Sequence, residues 1–277
     1  MQHVSVDNIV SIGYIQLTLT TMKLTDNTIL ITGGGSGIGR GLAEAFHALG
    51  NKVIIAGRRQ QALKETTGAN PGMASVTLDI NDPAAIQAFA AEVIGLHPTL
   101  NVLINNAGIA RQEDLKAHAD PAKAEAMITT NILGPIRLTA ALLPHLQKQP
   151  HSTIINVSSG LAFVPLPLAP TYSATKAALH SYTESLRFQF RGTPVEVLEI
   201  IPPYVQTELG GSSQTVDPRA MPLKEFIAET MQILKTRPEL TENCVERVKP
   251  LRYAEATGSY DKAFAMLGQM ALDPTHP

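Results

Sequence analysis

The sequence predicts a single α/β domain in which helices cover both faces of one doubly wound parallel sheet. Short β-rich segments alternate with helical segments over most of the chain, and such repeated units imply right-handed crossovers between parallel strands. Several predicted strands are apolar throughout rather than alternating, as in Val102-Leu103-Ile104, which is typical of strands buried on both faces. At 277 residues the chain is long enough for one large domain with a substantial core.

The predicted elements follow one another in a regular order from residue 28 onwards. Strands are predicted, in chain order, at residues 28–32, 52–56, 74–78, 101–105, 153–158 and 195–200. The main helices are predicted at residues 38–49, 83–95, 121–146 and 172–190. Asp82-Pro83 and Asp120-Pro121 each put a capping side chain before a proline of the first helical turn, a pattern typical of a helix start. Thr171 is predicted to cap the helix that begins at Tyr172.

The two ends of the chain depart from this pattern. Residues 1–21 carry no part of the strand–helix alternation, so we expect an N-terminal extension, with disorder as one reading of it, and a single domain at residues 22–277. After residue 207 the rhythm changes to a loop with Gly, Ser and Pro, followed by an amphipathic run at residues 223–235. The segment 208–235 is predicted to cover a substrate, and an ordinary C-terminal excursion is the alternative.

Composition excludes several classes of function. The formal net charge is −2, Trp is absent and aromatic residues make up 5%, which argues against nucleic acid or an anionic membrane as partner. The single cysteine, Cys244, excludes an internal disulfide and is typical of a reducing compartment, so a cytoplasmic location is expected. The sequence has no Cys or His cluster for a metal site, and no apolar run approaches the ~20 residues of a membrane span.

A glycine-rich segment follows the first predicted strand and opens the first helix. Its spacing is Gly33-x-x-x-Gly37-x-Gly39. Glycines at such a junction permit a tight turn and close approach of a pyrophosphate, while the helix N-terminus supplies N–H donors. The spacing differs from G-x-G-x-x-G, and a lysine-bearing phosphate loop is excluded because Arg40 follows Gly39. A purely structural turn is the alternative, but the strand–turn–helix context favours dinucleotide binding.

The second predicted strand ends in Ala56-Gly57-Arg58-Arg59. An acidic residue near this point would bind the ribose hydroxyls of the adenosine, whereas an arginine accommodates a 2′-phosphate. Gly57 occupies the position where an acid would be expected, and two arginines follow it. Solvated surface charges are the alternative reading, but the position favours NADP(H) over NAD(H).

Polar or turn-forming segments end the later strands as well. They are Asp79-Ile80, Asn105-Asn106-Ala107-Gly108, Ser158-Ser159 and the segment at residues 202–207. Each of them alone is explained equally well by a cap or a turn. A doubly wound sheet binds its ligand at the carboxyl ends of the strands, so their shared position favours a common site.

Tyr172 and Lys176 lie four residues apart in a predicted helix, so one helical turn separates them on the same face. A phenol with a reference pKa of about 10 moves protons poorly at neutral pH unless a nearby cation favours the phenolate. A pair that only decorates a helix surface is the alternative. A lysine placed next to a tyrosine in a cleft is predicted to assist proton transfer.

Taken together, the glycine turn, the Asn105–Gly108 segment, the Ser158-Ser159 strand end and Tyr172-x-x-x-Lys176 resemble the short-chain dehydrogenase/reductase family. The resemblance covers about residues 22–207, and the segments 246–252 and 258–261 also resemble its DltE-like branch. It implies a Rossmann-type fold and hydride transfer between a nicotinamide cofactor and a secondary alcohol, ketone or aldehyde. It also implies a homodimer formed through the helices at 121–146 and 172–190.

The resemblance implies a role for each matching residue. Tyr172 would exchange the proton, Lys176 would bind the nicotinamide ribose and favour tyrosinate, and Ser159 would hydrogen-bond the substrate oxygen. Asn131 matches the asparagine that supports a proton relay through water, with local bonding inside its helix as the alternative. The positions that match cofactor contacts, besides Tyr172 and Lys176, are Gly33, Ser36, Gly37, Ile38, Arg58, Asp79, Asn105, Ala107, Gly108, Pro202, Val205 and Thr207.

The chain departs from the family pattern at two places. Pro202-Pro203 stands where many members have Pro-Gly, which stiffens the loop beside the cofactor. The C-terminus lacks the usual apolar strand ending in a Gly-Gly pair, so the last sheet strand has no assigned position.

We therefore expect an NADP(H)-dependent oxidoreductase of small or medium apolar carbonyl compounds. Its substrate pocket is predicted at residues 161–169, 204 and 208–235. A non-catalytic dinucleotide-binding sensor or interaction protein is the alternative. A methyltransferase on a similar sheet is disfavoured because its chemistry does not require Tyr172 and Lys176.

Overall fold

The computed structural model describes residues 22–116 and 120–272, and these form one seven-stranded sheet with helices packed around it. All strand pairings are parallel, in the order β3-β2-β1-β4-β5-β6-β7. The doubly wound architecture predicted from the sequence is confirmed. The predicted extension at residues 1–21 lies outside the described residues.

The strands are β1 Thr28–Thr32, β2 Lys52–Gly57, β3 Ala74–Thr77, β4 Leu100–Asn105, β5 Ser152–Val157, β6 Val195–Ile201 and β7 Glu242–Cys244. The α-helices are α1 Gly37–Ala48, α2 Gln60–Ala69, α3 Pro83–Leu96, α4 Pro121–Ile128, α5 Gly134–Leu146, α6 Pro170–Gln189, α7 Leu223–Thr236, α8 Lys249–Arg252 and α9 Tyr260–Leu272. Six of the strands lie within one residue of their predicted ends. The seventh, β7, supplies the last strand to which the sequence assigned no position.

Strand residues alternate between two apolar layers, one on each face of the sheet. Ile29 and Ile31 of β1 pack in the layer that holds Phe46 of α1. Leu30 between them packs in the opposite layer, with Phe89 of α3. This explains why the strands read as continuous apolar runs, since almost every side chain of the central strands is buried on one face or the other.

The helix predicted at residues 121–146 is interrupted in the structure. A π-helical segment, Thr129–Leu133, separates α4 from α5. Pro135 has no N–H to donate to the carbonyl of Asn131 four residues before it, so a regular α-helix cannot continue through this point. Such wide turns are frequent at functional sites. The whole stretch Pro121–Leu146 is long and apolar enough to span a membrane, but Leu138 and Leu142 pack in the core.

Two of the three predicted helix starts are confirmed, and the third is wrong. The side chain of Asp82 accepts hydrogen bonds from the N–H groups of Ala84 and Ala85, and Asp120 does the same for Ala122. Helix α6 begins at Pro170 rather than after Thr171, whose backbone N–H instead donates to Glu113 at 3.0 Å. A carboxylate from a distant loop thus satisfies the first turn, which no local pattern could indicate.

The segment predicted to cover a substrate has two different parts. Residues 208–219 form a loop that lines a cleft. Helix α7 belongs to the body of the protein instead, because Phe226 is fully buried in the core. A Cβ atom added to Gly41 of α1 would lie 2.7 Å from the Ile227 side chain, so α1 and α7 are in close contact.

Candidate active site

A cleft of about 940 Å³ opens at the carboxyl ends of the central strands. The chain reverses its direction of winding between β1 and β4, which leaves a crevice outside these strand ends. Residues that end or follow five different strands line it, among them Thr32, Gly57, Ala107, Ser158 and Pro202. The volume lies within the range of sites that bury small-molecule ligands.

The turn between β1 and α1 depends on glycine. Gly33 has a φ of +68° and Gly37 a φ of +51°, a region that residues with a side chain rarely adopt. A Cβ atom at Gly39 would lie 2.4 Å from the Gly33 carbonyl oxygen, so the helix start packs directly on the turn. Ser36 precedes α1 without capping it through its side chain, which leaves first-turn N–H groups to an anionic ligand. The turn fits the pyrophosphate of a dinucleotide.

Threonine and asparagine side chains hold this turn against the neighbouring strand end. The Thr32 hydroxyl accepts hydrogen bonds from the N–H groups of Asn106 and Ala107, both at 3.0 Å. The Asn106 amide donates back to the Thr32 carbonyl at 2.9 Å. These contacts fix the distance between the glycine turn and the Asn105–Gly108 segment across the cleft.

Two arginines stand at the end of β2, where the adenosine part of a dinucleotide would lie. Arg59 donates to the Ser36 hydroxyl at 2.6 Å and lies 3.5 Å from a carboxylate oxygen of Glu208. Arg58 is exposed and makes no hydrogen bond or ion pair with other residues that the structure describes. One arginine is thus held by the glycine turn, and the other remains available to a ligand.

Ser159, Tyr172 and Lys176 meet at the opposite end of the cleft. Ser159 follows β5, and its hydroxyl accepts a hydrogen bond from the Leu161 N–H at 3.1 Å. Tyr172 lies in the first turn of α6, and Lys176 lies one turn further along the same face. The Lys176 ammonium nitrogen is 5.7 Å from the centre of the Tyr172 ring and donates to the Val157 carbonyl at 2.8 Å.

Burial dominates the protonation of the tyrosine. Desolvation raises the pKa of Tyr172 to about 12, and a hydrogen bond with Ser159 only partly opposes this. The expectation that the neighbouring lysine brings the phenol pKa below its usual value is therefore not met. At neutral pH Tyr172 is a protonated phenol, which is the form that donates a proton.

Burial acts on the lysine in the opposite direction. Desolvation lowers the pKa of Lys176 to about 8, and the negative charge of Glu199 opposes the shift. Lys176 as a whole residue is 5% exposed, so its charge acts through a medium of low polarity rather than through water. Lys176 remains mostly charged near neutral pH, and it loses its proton once the pH rises above about 8.

Asn131 lies in the π-helical segment and holds the loop after β4. Its side-chain oxygen accepts from the Ile109 N–H and its amide donates to the Ile109 carbonyl, both at 2.9 Å. The amide also donates to the Thr175 hydroxyl of α6 at 3.0 Å. Asn131 therefore joins three parts of the site, and its bonds are not the local helix-interior contacts that the sequence left as an alternative.

A family model described as short chain dehydrogenase matches residues 27–217. The chain belongs to the short-chain dehydrogenase/reductase family. Its sequence is 40% identical over 250 residues to the uncharacterized oxidoreductase DltE of Bacillus subtilis, covering 89% of this chain and 98% of that protein. The resemblance to the DltE-like branch is thereby confirmed, and the protein is an NAD(P)-dependent dehydrogenase/reductase.

Solved structures of this dehydrogenase/reductase family share the fold. A short-chain dehydrogenase from Burkholderia cenocepacia J2315 in complex with NADP has a TM-score of 0.74 at 27% identity, covering 89% of this chain and 99% of that one. A 3-ketoacyl-(acyl-carrier-protein) reductase from Brucella melitensis complexed with NADH has a TM-score of 0.71 at 25% identity, covering 79% and 95%. The Rossmann-type fold expected from the resemblance is confirmed.

Most of the residues predicted for a dehydrogenase site line the cleft. They are Gly33, Ser36, Gly37, Ile38, Arg58, Ala107, Gly108, Ser159, Tyr172, Lys176, Pro202, Val205 and Thr207. Three others lie outside the lining. Asp79 is exposed and its carboxylate accepts from the Asn81 N–H, Asn105 is buried in the sheet, and Asn131 lies behind the Ile109 loop.

Reasoning from the sequence missed several residues that shape the site. Thr32 and Asn106 were passed over, although both lie within the segments that were singled out. Glu208 was included only as part of a loop, because its pairing with Arg59 joins residues 149 positions apart. Gln214 was missed for the same reason, and its amide donates to the Val205 carbonyl at 2.7 Å, which holds the loop over the cleft.

Proposed function

We propose that the protein is an NADP(H)-dependent oxidoreductase that interconverts a secondary alcohol and a ketone or aldehyde. The observation that carries this proposal is the convergence of Ser159, Tyr172 and Lys176 at one end of the cleft, opposite the glycine turn and the arginines. The first two supply hydroxyl donors to one point, and the third places a buried cation beside them.

The residues present fit a dinucleotide along the cleft. The glycine turn with Ser36 would hold the pyrophosphate, Arg58 and Arg59 a 2′-phosphate, and Lys176 the nicotinamide ribose. When bound, the nicotinamide supplies or accepts the hydride. The protein orients the cofactor and excludes water from the reacting end.

The protein's own part of the chemistry is the movement of a proton. Tyr172 donates its phenolic proton to the substrate oxygen as negative charge develops there, and Ser159 stabilises that charge by a hydrogen bond. The tyrosinate that remains is stabilised by the ammonium of Lys176. Asn131, which joins the Ile109 loop to α6, is proposed to support the relay that returns a proton through water.

The wall of the cleft next to Tyr172 favours apolar carbonyl compounds. Leu161 and Leu166 line the cleft and pack against the cluster that Tyr172 forms with Met127 and Ala169. A small or medium ketone or aldehyde would bury its apolar part here and leave its oxygen to the hydroxyl donors. A screen of such compounds for consumption of NADPH tests the proposal, and the absence of turnover with all of them would favour a non-catalytic dinucleotide-binding protein.

The choice of cofactor is tested by the arginines at the end of β2. Arg58→Ala is expected to weaken NADPH binding more than NADH binding by about 1.5–3 kcal/mol, the typical worth of a hydrogen bond to a charged group. A guanidinium makes charge-assisted bonds to a 2′-phosphate that NADH does not carry. Titrations of both cofactors against the parent and the variant measure the difference.

Two further variants control this result. Lys64→Ala removes an exposed positive charge from α2, outside the cleft lining, and is expected to leave both affinities unchanged. Glu208→Gln removes the partner of Arg59 and is expected to tighten NADPH binding slightly at low salt. The effect is small because the pair is mostly exposed and solvent screens it. Equal affinities of the parent for NADPH and NADH, or an equal loss of both in Arg58→Ala, would contradict the preference for NADP.

We further propose a homodimer formed through the helical faces at 121–146 and 172–190. Phe188 at the end of α6 is 66% exposed and Ile128 is 42% exposed, which supports contact surfaces in these segments. Sedimentation velocity at micromolar concentration is expected to show the dimer, and Phe188→Glu is expected to shift the protein toward monomer. A parent that sediments only as monomer would contradict the assembly.

We propose the cytoplasm as the location. Cys244 is the single cysteine, and it lies buried in β7. Burial raises the pKa of its thiol to about 12, which makes it an inert core group.

A further inference from the structure

A row of polar side chains crosses the sheet on the face that α5 and α6 cover. The strand register places Asn105 of β4 beside Asn156 of β5, Asn156 beside Glu199 of β6, and Glu199 beside Glu242 of β7. The first three are fully or almost fully buried. Such a row across the interior of a sheet is costly unless its groups bond to one another or to the helices above.

The asparagine half of this row is largely satisfied. The Asn105 amide donates to Asn156 at 2.8 Å and to Thr139 of α5 at 3.0 Å. The Asn156 amide donates to Thr183 of α6 at 2.8 Å. Helix α6 therefore meets the sheet through polar groups as well as through the buried side chains of Leu179 and Leu186.

The acidic half of the row is different, because hydrogen bonds satisfy only one oxygen of the Glu199 carboxylate. One carboxylate oxygen bonds His180 at 2.8 Å. The other is buried and has no hydrogen-bond partner among the described residues. Charge therefore has to stabilise this carboxylate where hydrogen bonds do not.

Helix α6 brings the charged groups that Glu199 faces. Lys176 and His180 lie one turn apart on the helix face that covers β6. The titratable and charged groups around Glu199 and its neighbours His180 and Glu242 are Lys176, Glu184 and Arg187 of α6, Cys244 of β7 and Arg252 of α8. Glu184 points outward beside His180, and Arg252 is occupied by Glu242.

We infer that Glu199 is a positioning residue for the reaction: its buried carboxylate keeps the ammonium of Lys176 charged, and His180 shares that carboxylate from the next turn of α6. The inference rests on the proposed function, because it concerns the lysine that stabilises the tyrosinate. Glu199 does not line the cleft. It acts through Lys176 alone.

Electrostatics gives the direction of the effect. Burial lowers the pKa of Lys176 to about 8 and Glu199 opposes this, so loss of the carboxylate leaves the lysine to deprotonate at lower pH. The hydrogen bond to Glu199 raises the pKa of His180. A protonated His180 offsets part of the Glu199 charge, and its removal therefore favours the charged lysine.

A metal ion at this cluster is the competing interpretation. The ligand atoms of His180, Glu199 and Glu242 lie within 4.8 Å of one another. The guanidinium of Arg252, however, binds Glu242 through two hydrogen bonds, of 2.7 and 2.9 Å. A cation is thus already supplied by the protein, and a divalent ion would have to displace it.

The test is the pH dependence of kcat in the direction of carbonyl reduction, measured on the full-length protein. Glu199→Gln is expected to move the alkaline limb of the profile to lower pH by about one unit, since a neighbouring opposite charge moves a pKa by roughly 1–3 units. Glu199→Asp keeps the charge and is expected to return the alkaline limb most of the way to its parental position. Glu196→Gln removes another carboxylate from β6, away from Lys176, and is expected to leave the limb in place.

His180→Gln keeps the test decisive even where Glu199→Gln fails to fold. It is expected to leave the alkaline limb in place or move it to higher pH, and a downward shift would overturn the inference.

A purely structural role predicts lower activity in both variants with no movement of either limb. A limb position that changes on addition of Zn²⁺ or a chelator would assign the cluster to a metal instead. Failure of Tyr172→Phe to reduce turnover would overturn the proposed function, whereas an unmoved limb in Glu199→Gln would overturn this inference alone.

Discussion

Replacing Tyr172 by phenylalanine is expected to lower kcat by about 10³-fold while leaving cofactor affinity close to the parental value. General acid–base catalysis typically contributes 10²–10⁴-fold, and this variant removes the proton donor without removing the ring. Burial raises the pKa of this phenol to about 12, so at neutral pH the parent holds the proton that the substrate oxygen needs. Steady-state kinetics on the best substrate, with a parallel NADPH titration, separate the loss of turnover from any loss of binding.

Tyr182→Phe is the matched control for this result. Tyr182 lies on the same helix, half-buried, and outside the cleft lining. It loses the same hydroxyl group and is expected to keep parental turnover. Near-parental activity in Tyr172→Phe would show that the proposed proton donor is wrong, because Tyr204, the other phenol in the described cleft lining, donates to Asp217 instead.

Lys176→Met is expected to damage turnover and cofactor binding together. The variant keeps most of the buried volume but removes the charge that stabilises tyrosinate, so kcat is expected to fall by about 10²–10⁴-fold. It also removes a charged donor to the nicotinamide ribose, which is worth about 1.5–3 kcal/mol of cofactor affinity. Turnover and NADPH affinity measured on the same preparation test both parts. Loss of only one of them would contradict the double role of the lysine.

Lys176→Met is also expected to have a higher free energy of unfolding than the parent at neutral pH. The folded protein holds a lysine whose pKa burial lowers to about 8, so the charged form costs the native state about 3 kcal/mol relative to an exposed lysine. This cost is fully present below pH 8, where both states are protonated. It disappears as pH rises from about 8 to about 10.5, because only the unfolded state then keeps the proton.

Thermal or denaturant unfolding of the two proteins across this pH range measures the effect. The advantage of Lys176→Met is expected to shrink steadily toward alkaline pH. Lys64→Met, at an exposed position of α2, is expected to show no such trend. A variant that is less stable than the parent at every pH would show that the bond to the Val157 carbonyl outweighs the cost of the buried charge.

The sheet and its order could be predicted because the central strands carry their information locally. Ile29, Leu30 and Ile31 are apolar in succession since each contacts an apolar layer on one face or the other. The glycine turn was equally readable, because a positive φ at Gly33 and Gly37 restricts the residue type at those positions. Tyr172 and Lys176 were found because helical spacing alone places them on one face.

The remaining features depend on contacts that sequence spacing does not contain. Glu113 satisfies the start of α6 from 58 residues away, and no local signal distinguishes it from other loop acids. Strand β7 is three residues long and contains two polar side chains, so neither length nor apolar content indicates it. The spacing of Tyr172 and Lys176 predicts a lowered phenol pKa, whereas burial raises it. Burial cannot be read from a spacing of four residues.

The hydrogen bond between Asn105 and Asn156 disfavours sheets in which β4 and β5 pair in a shifted register. Asn105 and Asn156 bond each other only when β4 and β5 pair as they do in the native sheet. A slip of one residue would turn Asn156 toward the opposite face, among the apolar side chains of α1 and α7. Each amide left without a partner there would cost about 1–3 kcal/mol. The two asparagines thereby favour one register between the apolar strands β4 and β5, close to the carboxyl ends where Ser159 follows β5.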